Sequence, residues 1–141
     1  MQKSRKEKRT YARYLKRVDP KQCIFCGILP PSAQIVRETK HFRILKNIFA
    51  YSIWDSCGVR DHLMIVPKRH ITSLKGLTKP EKVEYVDLIQ EYESRHYDIF
   101  SRSPRSSIRS VGHVHTHCIK TDNRVRKFMF LLRKPYVRVT F

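Results

Sequence analysis

The amino-acid sequence predicts an α+β fold: a mainly antiparallel sheet of about five or six strands with one long helix packed on one face. Three observations carry this. Residues 62–66, His-Leu-Met-Ile-Val, form an unbroken apolar run closed by Pro67, the pattern of a buried central strand. Thr78, Pro80 and Glu81 open a stretch in which Val83, Val86, Ile89, Glu93, His96 and Phe100 recur at helical spacing, which predicts a helix over 79–100. Apolar or alternating segments follow at 108–119, 127–132 and 137–141, so the element order reads β, β, β, α, β, β, β.

Taken from the start, residues 1–21 are a basic arm, with nine Lys and Arg side chains against Glu7 and Asp19. Tyr11, Tyr14, Leu15 and Val18 fall at three- and four-residue spacings, so part of the arm can form an amphipathic helix once it docks on something. A solvated tail is the alternative. The domain proper covers 22–141. It begins at Cys23-Ile-Phe-Cys26, after which Gly27, Pro30 and Pro31 end a local turn, and the runs 34–37 and 42–45 read as a strand pair. Between the helix and the next strand, residues 101–107 combine Ser, Arg and Pro104 into an exposed basic loop. Lys134-Pro135 marks a turn between the last two strands.

The chain holds 30 Lys and Arg against 12 acidic residues, a net charge of +18. Such an excess repels itself and calls for a polyanionic partner, nucleic acid or a ribonucleoprotein. No apolar run approaches the roughly 20 residues that span a bilayer, and the first residues are charged, so no membrane partner and a cytoplasmic location are expected. In that reducing compartment the four cysteines point to metal or free thiols.

The sharpest feature is Gly112-His113-Val114-His115-Thr116-His117-Cys118. In an extended chain, side chains two residues apart share a face, so His113, His115 and His117 line up while Val114, Thr116 and Cys118 point the other way. Such a ladder serves either a three-ligand metal site or nucleophilic attack by one imidazole. Cys23 and Cys26 form a metal half-site that needs two further nitrogen or sulfur ligands.

These segments together resemble the histidine-triad (HIT) superfamily over about 23–120, in its zinc-bearing branch. Three pieces carry the resemblance: Cys-Ile-Phe-Cys-Gly-Ile at 23–28, Asp-His-Leu-Met-Ile-Val-Pro-Lys-Arg-His at 61–70, and the ladder. The resemblance implies a HIT-like fold with a structural Zn2+ held by Cys23, Cys26, His70 and His113. It makes His115 the nucleophile toward the α-phosphorus of a nucleotide conjugate, with His117 at the phosphate or leaving group and His62 in support. Trp54 and Asp55 fall where the family builds its nucleoside pocket. A homodimer is expected on the same ground. Residues 121–141 would then be C-terminal basic strands.

The chain departs from the family where many HIT hydrolases carry a Gly-Gln pair before the ladder. Here Ser107-Ile-Arg109 occupies that stretch, so Arg109 and Ser107 are the candidate phosphate contacts, an arginine fork being suited to phosphate. Lys120 stands where a proline is usual. The implied function is a nucleotidyl hydrolase or transferase acting on or near nucleic acid, on the precedent of aprataxin-like proteins. The competing reading is a HIT scaffold turned into a nucleic-acid or ribosome-binding module.

Overall fold

The computed structural model describes residues 5–15, 19 and 22–125. Among them, six strands make one antiparallel sheet: β1 (Ile35–Glu38), β2 (Phe42–Lys46), β3 (Ile53–Trp54), β4 (Cys57–Pro67), β5 (Asp98–Ser101) and β6 (Thr116–Val125). The order across the sheet is β1-β2-β4-β6-β5, with β3 folded back on the first residues of β4. Two α-helices accompany it among the described residues, α1 (Arg5–Leu15) and α2 (Lys79–Ser94). The α+β architecture expected from the sequence is therefore what the chain adopts.

β4 is central because both of its faces are apolar. Leu63 and Ile65 join Phe42, Ile44, Leu88, Tyr92, Val114 and Cys118 in a core beneath α2. The alternate residues Met64 and Val66, with Leu45, pack against Phe25 and Ile28 of the cysteine-bearing turn on the opposite face. A strand covered on both sides has no polar positions to alternate with, which is why 62–66 reads as a continuous run. The register pairs Leu63 with Cys118, Met64 with His117 and Ile65 with Thr116, fixing the ladder strand to the middle of the sheet.

α2 starts where the capping signal places it. The Glu81 carboxylate accepts the Thr78 backbone N–H at 2.7 Å and the Thr78 hydroxyl at 3.0 Å, and Arg69 adds an ion pair at 2.7 Å. The Arg69 guanidinium and the Thr78 donors hold the Glu81 carboxyl down at about 2. A carboxylate whose folded pKa lies below its ordinary value contributes stability above pH 4.5 that is lost as pH falls towards 2. The thermal midpoint should therefore drop more steeply over that window in the native protein than in Glu81→Gln; parallel curves would remove Glu81 as a source.

The helix is shorter than its periodicity predicts. His96, at φ 65°, turns the chain in the left-handed conformation that ends helices, and the Tyr97 N–H bonds back to the Tyr92 carbonyl at 3.1 Å. Residues 98–101 then form β5 on the edge of β6, so Phe100 belongs to a strand and not to the helix. The ladder strand is displaced as well: 108–115 lie ahead of β6, which runs on to Val125. The expected strands at 127–132 and 137–141 lie outside the described residues. No helix among the described residues is long and apolar enough to cross a membrane.

Candidate active site and metal centre

His113 and His115 precede β6, yet the alternation expected for the ladder holds. Val114 and Cys118 enter the core under α2, and the Thr116 hydroxyl meets the Tyr85 hydroxyl at 2.6 Å on that side. The imidazoles face the other way: Phe25 stands 5.9 Å from the His113 ring and 5.0 Å from the His115 ring, and His117 is 5.0 Å from His115. All three are buried.

His113 leads this row into a cluster with the cysteine turn. Its Nδ1 lies 3.4 Å from Cys23 Sγ and 3.5 Å from Cys26 Sγ, while Cys26 Sγ lies 3.3 Å from His70 Nδ1. The four candidate ligand atoms all fall within 4.8 Å of one another. Tetrahedral coordination with metal–sulfur bonds of about 2.3 Å and metal–nitrogen bonds of about 2.0 Å sets sulfur and nitrogen about 3.5 Å apart, so the donor set fits a tetrahedral ion. The second nitrogen of His113 completes the case. Its Nε2–H donates to the Pro67 carbonyl at 3.0 Å, leaving Nδ1 as the lone-pair nitrogen that faces the sulfurs. Burial, with the adjacent His70, holds the His113 pKa at about 4, so the ring is neutral as a ligand must be.

His115 is fixed by its own chain segment. Its Nδ1 stands 2.9 Å from the His113 carbonyl oxygen. A carbonyl only accepts, so Nδ1 carries the proton and Nε2 keeps the lone pair. Burial lowers the His115 pKa, opposed by the bond to the His113 carbonyl, and the charges of Arg109 and Arg102 push the same way as burial.

His117 has the opposite tautomer. The Tyr51 backbone N–H donates to His62 Nδ1 at 3.2 Å, which leaves the proton of neutral His62 on Nε2. That Nε2 lies 2.9 Å from His117 Nδ1, so His62 donates and His117 accepts, placing the His117 proton on its own Nε2. His62, expected only as a supporting residue, thus sets the protonation pattern of its neighbour. Asn47 flanks the accepting side of the ring, its amide N–H directed at His62 Nδ1 at 3.4 Å.

His115 and His117 line a single cavity together with Phe25, Phe49, Met64 and Arg102. The other expected contacts stand elsewhere. Trp54 packs against Phe100 at 5.1 Å and Tyr51 at 6.1 Å, a layer behind His117 and outside that lining. Asp55, exposed, and Ser56 form the two-residue turn between β3 and β4, both at positive φ. The cavity side chains come instead from the preceding loop, at Asn47, Ile48, Phe49 and Tyr51. Ser107 is exposed in its loop, and Ser110 is the serine that reaches the lining. Arg109 spends its fork on the backbone, donating to the carbonyls of Val111 at 3.0 Å, Thr72 at 2.9 Å and Gly112 at 2.7 Å. It braces the approach to the ladder, and Arg102 is the arginine on the cavity wall, its guanidinium over the Phe100 ring.

The sequence matches the HIT domain over residues 31–124. The chain belongs to the HIT family. Solved HIT structures share the fold at low identity. A HIT family hydrolase from Clostridium thermocellum is 19% identical with a TM-score of 0.55, covering 79% of this chain and 100% of its own. A zinc-bound histidine-triad protein from Mycobacterium smegmatis is 22% identical with a TM-score of 0.53, covering 72% and 76%. A hypothetical protein from Leishmania major is 22% identical with a TM-score of 0.55 and covers 84% and 85%. No curated protein matches this HIT chain.

Proposed function

We propose that this HIT protein is a nucleotidyl hydrolase or transferase in which His115 attacks the α-phosphorus of a nucleotide conjugate. The observation that carries the reading is that His115 and His117 share one cavity, with His115 Nδ1 against the His113 carbonyl and His117 Nδ1 against His62 Nε2, contacts that favour opposed tautomers. A neutral imidazole with its lone pair on Nε2 needs no base to activate it. In the first step the His115 Nε2–phosphorus bond forms as the bond to the leaving group breaks, and that group departs with the electron pair and takes a proton from solvent. His115 keeps its Nδ1 proton against the His113 carbonyl, which supports the positive charge gained by the ring. The His117 Nε2–H donates a hydrogen bond to the phosphoryl or leaving oxygen, where negative charge builds. Water, or an acceptor hydroxyl, then bonds to phosphorus and releases its proton to solvent, while the Nε2–phosphorus bond breaks and its electron pair returns to Nε2. Arg102 is the phosphate-side cation of this scheme, because Arg109 is held on carbonyls.

Relatives of the same fold described as HIT family hydrolases support the reaction class. The test is a quenched reaction with a nucleoside phosphoramidate: digestion and mass spectrometry should find one nucleoside monophosphate on the His115 peptide. A reaction that proceeds with no such adduct on His115 would rule this mechanism out.

The metal held by Cys23, Cys26, His70 and His113 is zinc in this reading, supported by the sulfur–nitrogen donor set and by the zinc-bound relative. Four protein ligands leave no open position, so the ion supplies a structural crosslink between the cysteine turn and the ladder.

Nucleic acid is the proposed larger partner. Arg9 and Arg13, one helical turn apart, are exposed on α1, and Arg105 is exposed in the basic loop near the cavity. If six to ten phosphate contacts form, affinity for a single-stranded oligonucleotide should fall by about 10³ to 10⁵ between about 50 and 200 mM salt. A flat salt response would remove this partner.

A further inference from the structure

The basic arm does dock, and its place of docking is the site. In α1, Tyr11 and Tyr14 sit three residues apart on one helical face, and both rings meet Phe49, at 4.9 Å and 5.0 Å between centroids. All three rings line the cavity that His115 and His117 share, with Phe25 and Ile24 also on its wall. The two tyrosines are part-exposed, where rings given over wholly to internal packing would be buried. They meet Phe49 edge-on and tilted, at 67° and 55° between ring planes, not stacked face to face. Phe49 itself is held in place, its backbone N–H donating to Asn47 Oδ1 at 2.9 Å. α1 lies wholly before the segment matched to the HIT domain, residues 31–124, whereas Phe49 lies within it.

We propose that Tyr11 and Tyr14 are specificity-determining residues that hold the nucleobase of the substrate against Phe49 while its phosphate lies at His115 and His117. The inference rests on the reading of the cavity as a nucleotide site and assigns its base-binding wall to the arm. The chemistry suits a nucleotide: aromatic rings, imidazoles and Arg102 line one cavity. Base stacking on aromatic side chains tolerates any base, so the wall selects for a nucleoside over a bare sugar phosphate and does not choose among bases.

Calorimetric titration of the full chain with adenosine 5′-monophosphate and with ribose 5-phosphate tests this. In Tyr11→Ala/Tyr14→Ala, affinity for the nucleotide should drop about tenfold or more, by the scale of base–aromatic stacking, with affinity for ribose 5-phosphate unchanged. Tyr11→Phe/Tyr14→Phe, which keeps the ring faces, should restore nucleotide affinity. Unchanged or tighter nucleotide binding in the alanine variant overturns the assignment, the latter because the rings would then be covering the cavity. An equal loss for both ligands also overturns it, as the signature of a general structural effect. If the native chain binds ribose 5-phosphate and adenosine 5′-monophosphate equally, no base is held and the inference alone fails. If it binds neither, the nucleotide-site reading fails and this inference with it.

Discussion

Replacing His115 with alanine should lower nucleotide release by at least about 10³-fold, a loss far larger than any accompanying change in affinity for nucleoside monophosphate. The magnitude follows from removing the atom that forms the covalent bond, an effect on the chemical step and not on binding. No neighbour can take over. His113 turns its lone pair toward the cysteine sulfurs. His117 offers its lone pair to His62 and carries a proton on the nitrogen that faces away from that partner. Initial rates with a nucleoside phosphoramidate, compared with calorimetric binding of the monophosphate, separate the two contributions. Equal rates in the native protein and His115→Ala would transfer the chemistry to another residue. His117→Ala should cost less, about 10²-fold, because it withdraws a hydrogen bond from developing charge and leaves the nucleophile in place.

The second large effect is expected from the metal. Chelation, or Cys23→Ser, should lower the thermal midpoint by more than about 10 °C, since structural zinc contributes about 10 to 16 kcal/mol of folding free energy in small zinc modules and even a few kcal/mol moves a midpoint by that much. The loss should extend to catalysis, although the ion performs no step. Phe25, between the two cysteines in sequence, packs on both His113 and His115, so releasing the turn should loosen the ring that lies against the proposed nucleophile. Cys57→Ser provides the control, its sulfur lying in β4 and outside the cluster, and should keep one metal per chain. Metal analysis that found none in the purified native protein, with melting insensitive to chelator, would dispose of the crosslink.

The parts of this design that could be read from the chain were those expressed locally. The apolar run at 62–66 marks β4 because both faces of the strand are covered, and the alternating histidines keep their shared side even though only His117 lies within β6. The Cys-x-x-Cys spacing and His70 converge as a donor set should. What escaped depended on backbone conformations without the usual residues or on distant contacts. His96 adopts a left-handed φ normally marked by glycine, so nothing signalled that α2 stops at Ser94 and that Phe100 belongs to β5. The Asp55-Ser56 turn lacks a glycine too, and without that hairpin Trp54 looked available for the cavity. Arg109 carries the right chemistry for phosphate, yet three carbonyls brought together by the folded loop claim it first. The tyrosine spacing in the arm foretold an amphipathic helix, and only folding could supply Phe49 as its seat.

The carbonyl that orients His115 belongs to a residue just two positions earlier in the same chain segment. Reactivity and recognition are thereby decoupled. The ring's hydrogen-bonding state is written into a tripeptide, whereas much of the rest of the cavity lining comes from separate loops and from α1. On the proposed mechanism, selection or engineering can thus redraw what the pocket admits, by altering those loops or exchanging the whole leading helix, without retuning the atom proposed to attack.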